Sequence, residues 1–259
     1  MRRHDPPYPP ATIRLVHVVR ASVMKAAEAD DLLPHNPMNK IKAAKKAPPQ
    51  PKPKPVAMTA DETQKFLDAA ASRPEDFMFR LAYFLGARPC EYLGLQWGDV
   101  DFKAQRITIQ RSLKLRRGGE FYTTPPKTEE SVRTIALTPA FVKGLEDHRR
   151  RQRATGKGWA DKNFIFTDDA GDPLKMYAVR AVHKEICEEA GLPGTFKLKV
   201  SRHSCASALL NDGVPLKMVS DRLGHSSVAI TADVYGVTDK DRQREVSERV
   251  EQLFGSGKK

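Results

Sequence analysis

A stretch rich in proline and lysine constrains the fold of this chain more than any other feature. Residues 45–55 read KKAPPQPKPKP. Proline fixes φ and lacks a backbone N–H, and neighbouring lysines repel one another, so such a segment favours an extended, semi-rigid linker over a packed element. The sequence therefore predicts a short first segment at residues 1–45, a linker at 46–57, and a larger domain after it.

Helical patterns lie on both sides of this linker. Before it, apolar residues recur at helical spacing in residues 11–28, and a second short helix is expected after Asn36-Pro37. Two such helices offer little core of their own. After the linker, Thr59 and Glu62 have the spacing of a capping box, which predicts a helix that runs to about Ala71.

The middle of the chain changes to the period of strands. Three stretches rich in Ile, Val, Thr and Tyr are separated by turn-forming residues: RITIQRSL at 106–113, EFYTTPPK at 120–127 and VRTIALT at 132–138. Helices are expected before this block, including an apolar one at residues 77–86, and again after it. The predicted fold is mainly α with a small three-stranded antiparallel sheet (α+β).

Charge and composition narrow the classes of function. The chain has 44 Lys and Arg against 32 Asp and Glu, a formal net charge of +12, which favours a polyanionic partner. Cys90, Cys187 and Cys205 are scattered without a C-x-x-C pair, which disfavours a disulfide framework or a zinc site. The sequence contains no signal peptide and no run of eighteen apolar residues, so we expect a cytoplasmic protein.

Four short segments carry residues suited to chemistry on a phosphate. They are GARPCEYLGL at 86–95, PKTEESVRTI at 126–135, KVSRHSCASALL at 199–210 and LGHSSVAITADVY at 223–235. Each is weak alone, because an arginine beside a glutamate or a lysine in a turn is usually only a solvated charge. Their combination predicts one active site.

In order and spacing these segments resemble the motifs of tyrosine site-specific recombinases of the phage-integrase type. The first arginine box of that family reads roughly G-x-R-x-x-E, the second H-x-x-R-H, and later boxes L-G-H-S and a tyrosine about ten residues on. The resemblance covers about residues 58–238, which we take as the catalytic domain, and extends weakly to 11–45, which resembles the last part of a core-binding domain.

The resemblance implies a role for each matching residue. Arg88 and Arg202 would clamp the nonbridging phosphate oxygens, for which planar guanidinium groups are suited. Lys127, in the turn between two predicted strands, would protonate the departing 5′ oxygen. His225 would donate a hydrogen bond to the phosphate, and His203 would support Arg202.

Tyr235, at the tenth position after His225, would be the nucleophile. A phenol attacks poorly at neutral pH unless cations favour its ionised form, and the basic residues above supply such cations. Lys199 stands where the family usually has histidine. An ammonium group can donate to phosphate but cannot accept the tyrosine proton, so general-base assistance is in doubt, and a plain surface lysine remains an alternative.

The implied function is site-specific DNA recombination in phage or mobile-element integration and excision. Cleavage and rejoining through a 3′-phosphotyrosyl intermediate conserve the bond energy, so no cofactor is expected, and the chain shows no phosphate loop. The expected partner is double-stranded DNA, with no membrane, in a bacterial or phage-encoded protein associated with the nucleoid. The short first segment predicts an N-terminally truncated integrase.

The last segment, residues 239–259, is predicted to hold a charged helix with one apolar face at 239–254. In the family a helix in this place commonly packs on a neighbouring protomer, so we expect a homotetramer on DNA. Docking on its own domain is the alternative.

Three other readings remain open. Residues 202–223 resemble a helix-turn-helix of a DNA-binding protein without enzymatic activity. A type IB topoisomerase shares the chemistry but relaxes supercoils. A degenerate integrase would bind DNA without completing recombination.

Overall fold

The computed structural model describes residues 8–41, 56–116, 118–126, 131–154, 163–235, 247–248 and 250–252. The chain divides into two compact units, residues 1–53 and 54–259. Residues 42–55, which hold most of the predicted linker, lie outside the described part, so the boundaries derived from the sequence stay predictions.

The described residues of the first unit form one long helix and a short turn that folds back on it. Helix α1 spans Pro10–Ala29, which confirms the helix predicted at 11–28, and a 3₁₀ helix spans Pro37–Lys40. Buried Asn36 joins the two, because its side chain accepts from the Met38 N–H (2.9 Å) while its own N–H donates to Glu28 (2.9 Å). Several apolar side chains of α1 remain exposed: Leu15, Val16, Val18, Val19 and Val23.

The second unit is mainly helical. Its first helices precede the sheet: α2 at Ala60–Ala70, α3 at Asp76–Leu85, α4 at Pro89–Tyr92 and a 3₁₀ turn at Trp97–Asp99. The others follow the sheet: α5 at Pro139–Ala154, α6 at Met176–Glu189, α7 at Val200–Asn211, α8 at Leu216–Leu223 and α9 at Val228–Tyr235. Within the described ranges, no helix is long and apolar enough to span a membrane.

Two helix ends show how the sequence directs this arrangement. The capping box that begins α2 is present, with the Thr59 N–H donating to Glu62 (2.8 Å) and the Glu62 N–H donating to the Thr59 hydroxyl (3.1 Å). The buried apolar helix α3 ends at Gly86, whose φ of 62° is left-handed and favours glycine. After this helix end, the chain leads directly into Arg88, the arginine of the first box.

The predicted three-stranded antiparallel sheet is confirmed, but one of its strands differs from the prediction. Its order is β1 (Val100–Asp101), β2 (Arg106–Ile109) and then the strand at Arg133–Ala136, called β5, with Ile107 opposite Ile135. Strands β3 (Ser112–Leu115) and β4 (Phe121–Thr124) form a separate hairpin. Residues 121–124, the part of the stretch at 120–127 that forms a strand, therefore pair with β3 and do not join the main sheet.

The cause of this division lies at the end of β2. The side chain of Asp99 is buried, and Gln110 donates a hydrogen bond to it (2.8 Å) while Arg111 forms an ion pair with it. Because a buried carboxylate needs such partners, both polar residues turn toward Asp99 and interrupt the run RITIQRSL.

Most of the predicted C-terminal helix lies outside the described residues. Residues 247–248 and 250–252 are helical, which agrees with the prediction over those positions. The turn that contains Lys127 also lies outside the described part of the chain.

Candidate active site

The predicted site residues Arg88, Lys199, Arg202 and His225 line one cleft of about 940 Å³ in the second unit. Three further cationic side chains line the cleft: Arg180, Lys184 and Lys197. Among the described residues that line it, none is acidic. Elements that are far apart in sequence thus form a single basic cavity. Such a cavity attracts and orients anions.

Arg88 precedes helix α4 and is held by the glutamate of its own box. Its Nη1 donates to Glu91 Oε1 (2.7 Å) and its backbone N–H donates to Glu91 Oε2 (2.9 Å). Pro89 occupies the first helical position, where its fixed φ favours the helical turn. This turn brings Glu91 back over Arg88. The Arg88 side chain is 41 % exposed, so part of its guanidinium group remains available to the cleft.

Arg133 connects this pair to the rest of the site. Its Nη2 donates to Glu91 Oε2 (2.7 Å), its Nε donates to the carbonyl of Arg222 (2.7 Å), and its Nη1 donates to the carbonyl of Ser131 (3.2 Å). Burial would raise the pKa of Glu91, but the positive charges of Arg133 and Arg88 outweigh it and hold that pKa below its usual range. Glu91 is therefore a buried carboxylate shared by two arginines.

Arg202 lies in the first turn of α7 and is held by main-chain carbonyls. Its Nη1 donates to the carbonyls of Leu223 (2.7 Å) and Gly86 (3.0 Å). These carbonyls belong to the C-terminal ends of α8 and α3, where helices carry unpaired acceptors and partial negative charge. Gly224 has a φ of 68°, so both helices end in a left-handed glycine beside the arginine.

Both glycines also leave little space for a side chain. A Cβ on Gly86 would lie 2.9 Å from Leu223 Cδ2, and a Cβ on Gly224 would lie 2.8 Å from Arg133 Nη1. These positions require glycine for space as well as for conformation.

His225 follows Gly224 and is half-buried, with its Nδ1 2.7 Å from the hydroxyl oxygen of Thr231 in α9. Burial, followed by the charges of Arg202, Arg88 and Arg133, lowers the pKa of His225 to about 4. The ring is therefore neutral at neutral pH and carries one N–H. It can donate one hydrogen bond but adds no positive charge.

His203 and Lys199 occupy the wall next to Arg202. Burial, with the charges of Lys199 and Arg202, lowers the pKa of His203 to about 4. Lys199 is exposed at the N-terminal cap of α7. The supporting role predicted for His203 stays a prediction, as do the functional roles of the other site residues.

The chain has six tyrosines, and burial excludes two of them as nucleophiles on a large substrate. Tyr83 and Tyr92 are buried, which raises the pKa of each hydroxyl, and Tyr83 donates to Met58 Sδ. Tyr235 is the last residue of α9, the helix that Thr231 connects to His225. The side chain of Tyr235 lies outside the described part of the structure.

Sequence reasoning missed Arg133 and Thr231. A signal existed for Arg133, because it shares the inward face of β5 with Ile135, and an arginine on that face needs a buried anion. No comparable signal marked Thr231, since a threonine in a short helix has no distinctive pattern.

This chain is similar to a protein family profile, to several relatives in sequence, and to solved structures in fold. The Phage integrase family profile matches residues 57–242. A tyrosine recombinase XerC-like protein of Caldanaerobacter subterraneus subsp. tengcongensis is 32% identical over 209 residues, which cover 75% of this chain and 53% of the relative. The ICEBs1 integrase of Bacillus subtilis is 26% identical, with 90% of this chain and 63% of the relative covered. The chain thus spans little more than half the length of these two relatives.

Solved structures agree in fold. The Tn1549 transposon integrase in complex with a circular intermediate DNA matches with a TM-score of 0.73 and 22% identity, covering 93% of this chain and 79% of that one. The XerA recombinase matches with a TM-score of 0.59 and 19% identity, covering 90% and 75%. The resemblance drawn from the four sequence motifs is confirmed: this chain belongs to the phage integrase family.

Proposed function

We propose that this chain carries out site-specific DNA recombination by cleaving and rejoining strands through a 3′-phosphotyrosyl intermediate, with Tyr235 as nucleophile. The convergence of Arg88, Lys199, Arg202 and His225 in one basic cleft carries this proposal. Membership of the family supports it, as do the relatives described as integrases and recombinases and the structural neighbour that is bound to DNA.

The chemistry assigns one task to each group. The Tyr235 oxygen forms a bond to the scissile phosphorus and releases its proton to water, while the bond from phosphorus to the 5′ oxygen breaks. Lys127 gives a proton to that departing oxygen, so that a 5′ hydroxyl is released. Rejoining reverses these steps with the 5′ hydroxyl of another strand, and the phosphotyrosyl bond conserves the energy, so the reaction needs no cofactor.

The arginines stabilise the charge that develops on the phosphate. Arg88 and Arg202 donate to its nonbridging oxygens, and their fixed supports mean that little reorganisation is needed during reaction. His225, neutral at this site, donates one further hydrogen bond. Lys199, exposed at the start of α7, adds a donor and a positive charge where the family usually has histidine.

The partner that we propose is double-stranded DNA, and the working assembly is a homotetramer in which the C-terminal helix packs on a neighbouring protomer. A net charge of +12 favours a polyanionic partner. Such a protein would act at the nucleoid, in the cytoplasm of a bacterium.

A suicide-substrate experiment tests the nucleophile. Nicked duplexes with randomised core sequences release a short 5′ fragment after cleavage, which traps the covalent protein–DNA complex for detection after SDS treatment. We expect the complex with the unmodified chain, none with Tyr235→Phe, and normal amounts with Tyr177→Phe, a control at an exposed tyrosine outside the cleft.

The outcomes separate the competing functions. A covalent complex that Tyr235→Phe still forms contradicts the assignment of the nucleophile. DNA binding without any covalent complex favours a degenerate integrase or a helix-turn-helix protein, whereas relaxation of supercoiled DNA without site preference favours a topoisomerase.

A further inference from the structure

The hydrogen bond between His225 and Thr231 joins two functional parts of the chain. The His225 backbone N–H donates to the carbonyl of Ser220 (3.1 Å), which holds the residue against the end of α8. Its ring Nδ1 lies 2.7 Å from Thr231 Oγ1. Thr231 is fully buried and lies one helical turn before Tyr235 in α9.

The direction of this hydrogen bond follows from what each partner needs. A buried hydroxyl requires an acceptor for its proton, because an unmet donor costs free energy. Among the described residues, the Thr231 hydroxyl has no hydrogen-bond partner other than His225 Nδ1. The hydroxyl therefore donates and Nδ1 accepts, which leaves the single hydrogen of the neutral ring on Nε2.

The tautomer of His225 matters because the ring is neutral in these charged surroundings. Arg202, Arg88, Arg133 and Glu91 face His225 from the neighbouring elements. Burial lowers the pKa of the ring, the three arginines lower it further, and Glu91 opposes them. A doubly protonated ring would donate from both nitrogens whatever its neighbour. A neutral ring donates from one only, and with the hydrogen on Nδ1 it would present a lone pair from Nε2.

We propose that Thr231 is a positioning residue that fixes His225 in the Nε2–H tautomer, so that the ring donates to the phosphate from the nitrogen opposite Thr231. This inference rests on the proposed function, because His225 needs a phosphate to act on. The same bond ties the loop that carries the histidine to the helix that carries the nucleophile. A change at Thr231 thus alters the hydrogen bond to the phosphate without touching the substrate.

Two substitutions separate the hydroxyl from the shape of the side chain. Thr231→Val keeps the branched shape and removes the hydroxyl, whereas Thr231→Ser keeps the hydroxyl. Thr108→Val is the matched control, since it removes a threonine hydroxyl whose one hydrogen-bond partner in the described part of the chain is Thr134, at an exposed place on the sheet. Melting temperatures show whether each variant is folded.

The first readout is the tautomer of His225 in the protein without DNA, from the ¹⁵N shifts of its ring, which the loss of signals in His225→Asn assigns. The unmodified chain and Thr231→Ser should carry the hydrogen on Nε2, and Thr231→Val should show a mixture. A hydrogen on Nδ1 in the unmodified chain overturns the proposal, even if Thr231→Val does not fold.

The second readout is single-turnover cleavage of the nicked duplex. We expect Thr231→Val to slow the maximal rate about 10-fold with unchanged half-saturating DNA concentration, because the donor loses its fixed orientation as well as part of its Nε2–H population, and losing a preorganised donor altogether costs about 100- to 1,000-fold. Thr231→Ser and Thr108→Val should stay within about threefold of the unmodified rate, far less than the loss of such a donor.

The two readouts test different claims, and each claim can be contradicted independently of the other. Cleavage by Thr231→Val at the unmodified rate, in a chain that does cleave, contradicts the role of Thr231. Absence of cleavage in every variant contradicts the proposed function, while the ¹⁵N shifts still decide whether Thr231 sets the tautomer.

Discussion

Arg88 and Arg202 line the same cleft, but they are supported in different ways. Arg88 is held by a carboxylate, Glu91, which also binds the buried Arg133. Arg202 is itself buried and is held by the carbonyl oxygens at the ends of two helices. The first support depends on a balance of side-chain charges, and the second depends on where two helices stop.

This difference determines which changes should disturb each arginine. Removing one charge unbalances the first support, because a buried arginine is then left without its anion. The two carbonyl contacts of Arg202 involve no partner side chain, so they are vulnerable at Arg202 itself and at the glycines that end the helices. Substitutions at both supports can test this contrast.

Glu91→Gln should be the most damaging of these substitutions. It removes the negative charge between Arg88 and buried Arg133, and we expect a loss of about 3–5 kcal/mol in the free energy of unfolding, as for a broken buried ion pair. Urea denaturation measures it. The control Glu120→Gln breaks an exposed pair with Arg116 and should cost less than about 1 kcal/mol. Equal losses in the two variants would show that the buried charge is not what matters.

Replacing each cleft arginine by lysine should separate stability from activity. Arg202→Lys is expected to cost about 2–4 kcal/mol, because one ammonium cannot reproduce the guanidinium contacts to two buried carbonyls. Arg88→Lys should cost about 1 kcal/mol or less, since that side chain is partly exposed and remains near Glu91. Urea denaturation and the suicide substrate together distinguish them: both variants should cleave poorly, but only the first should unfold easily.

The helix ends should be sensitive to a single added methyl group. Gly224→Ala is expected to cost about 2–3 kcal/mol, because it combines a left-handed φ with a close contact to Arg133. Gly213→Ala is the matched control, since its φ is 83° but, apart from its neighbours along the chain, no atom of the described residues lies within 4 Å of the added Cβ. It should cost about 1 kcal/mol, the conformational part alone. Thermal unfolding of both variants gives the difference, and no difference would contradict the packing argument.

The smallest effect concerns His203 and His225, two of the three histidines among the described residues that line the cleft. Removing a nearby cation favours the protonated ring, so the pKa should rise from about 4 toward its ordinary value. Arg202→Gln should raise the pKa of both His203 and His225, whereas Arg88→Gln should raise that of His225 alone and by less. NMR titration of the folded variants measures these shifts. If Arg88→Gln also raised the pKa of His203, the effects of the two arginine charges on the two histidines could not be separated.

The sequence predicted the helices and the residues that meet in the cleft better than it predicted what holds them. Thr59 and Glu62 identified the start of α2 because a capping box is a local contact. Arg88, Arg202 and His225 were found because they occur in motifs with fixed spacing. The contacts of Arg202 could not be predicted in the same way, because carbonyl groups occur at every residue and only the fold brings Gly86 and Leu223 together.

The arrangement of the strands shows the same limit. The run RITIQRSL is rich in strand-forming residues at its start and contains no Gly, Pro, Asn or Asp, so its local pattern predicts one strand. Gln110 and Arg111 interrupt it to bind Asp99, which lies eleven and twelve positions earlier in the chain. Propensity describes each residue by itself, whereas the interruption depends on a buried carboxylate that only the folded chain brings within reach.

The main-chain support of Arg202 also affects what comparisons among homologous sequences can reveal. Behind Arg88 lies the buried pair of Glu91 and Arg133, in which both partners are side chains that can change, so substitutions at these two positions should covary. Arg202 binds oxygen atoms that every amino acid carries, and no substitution at Leu223 removes the acceptor. Covariation methods would therefore detect the side-chain support behind Arg88 and miss the two hydrogen bonds from Arg202 to main-chain oxygens, although both arginines are anchored by hydrogen bonds.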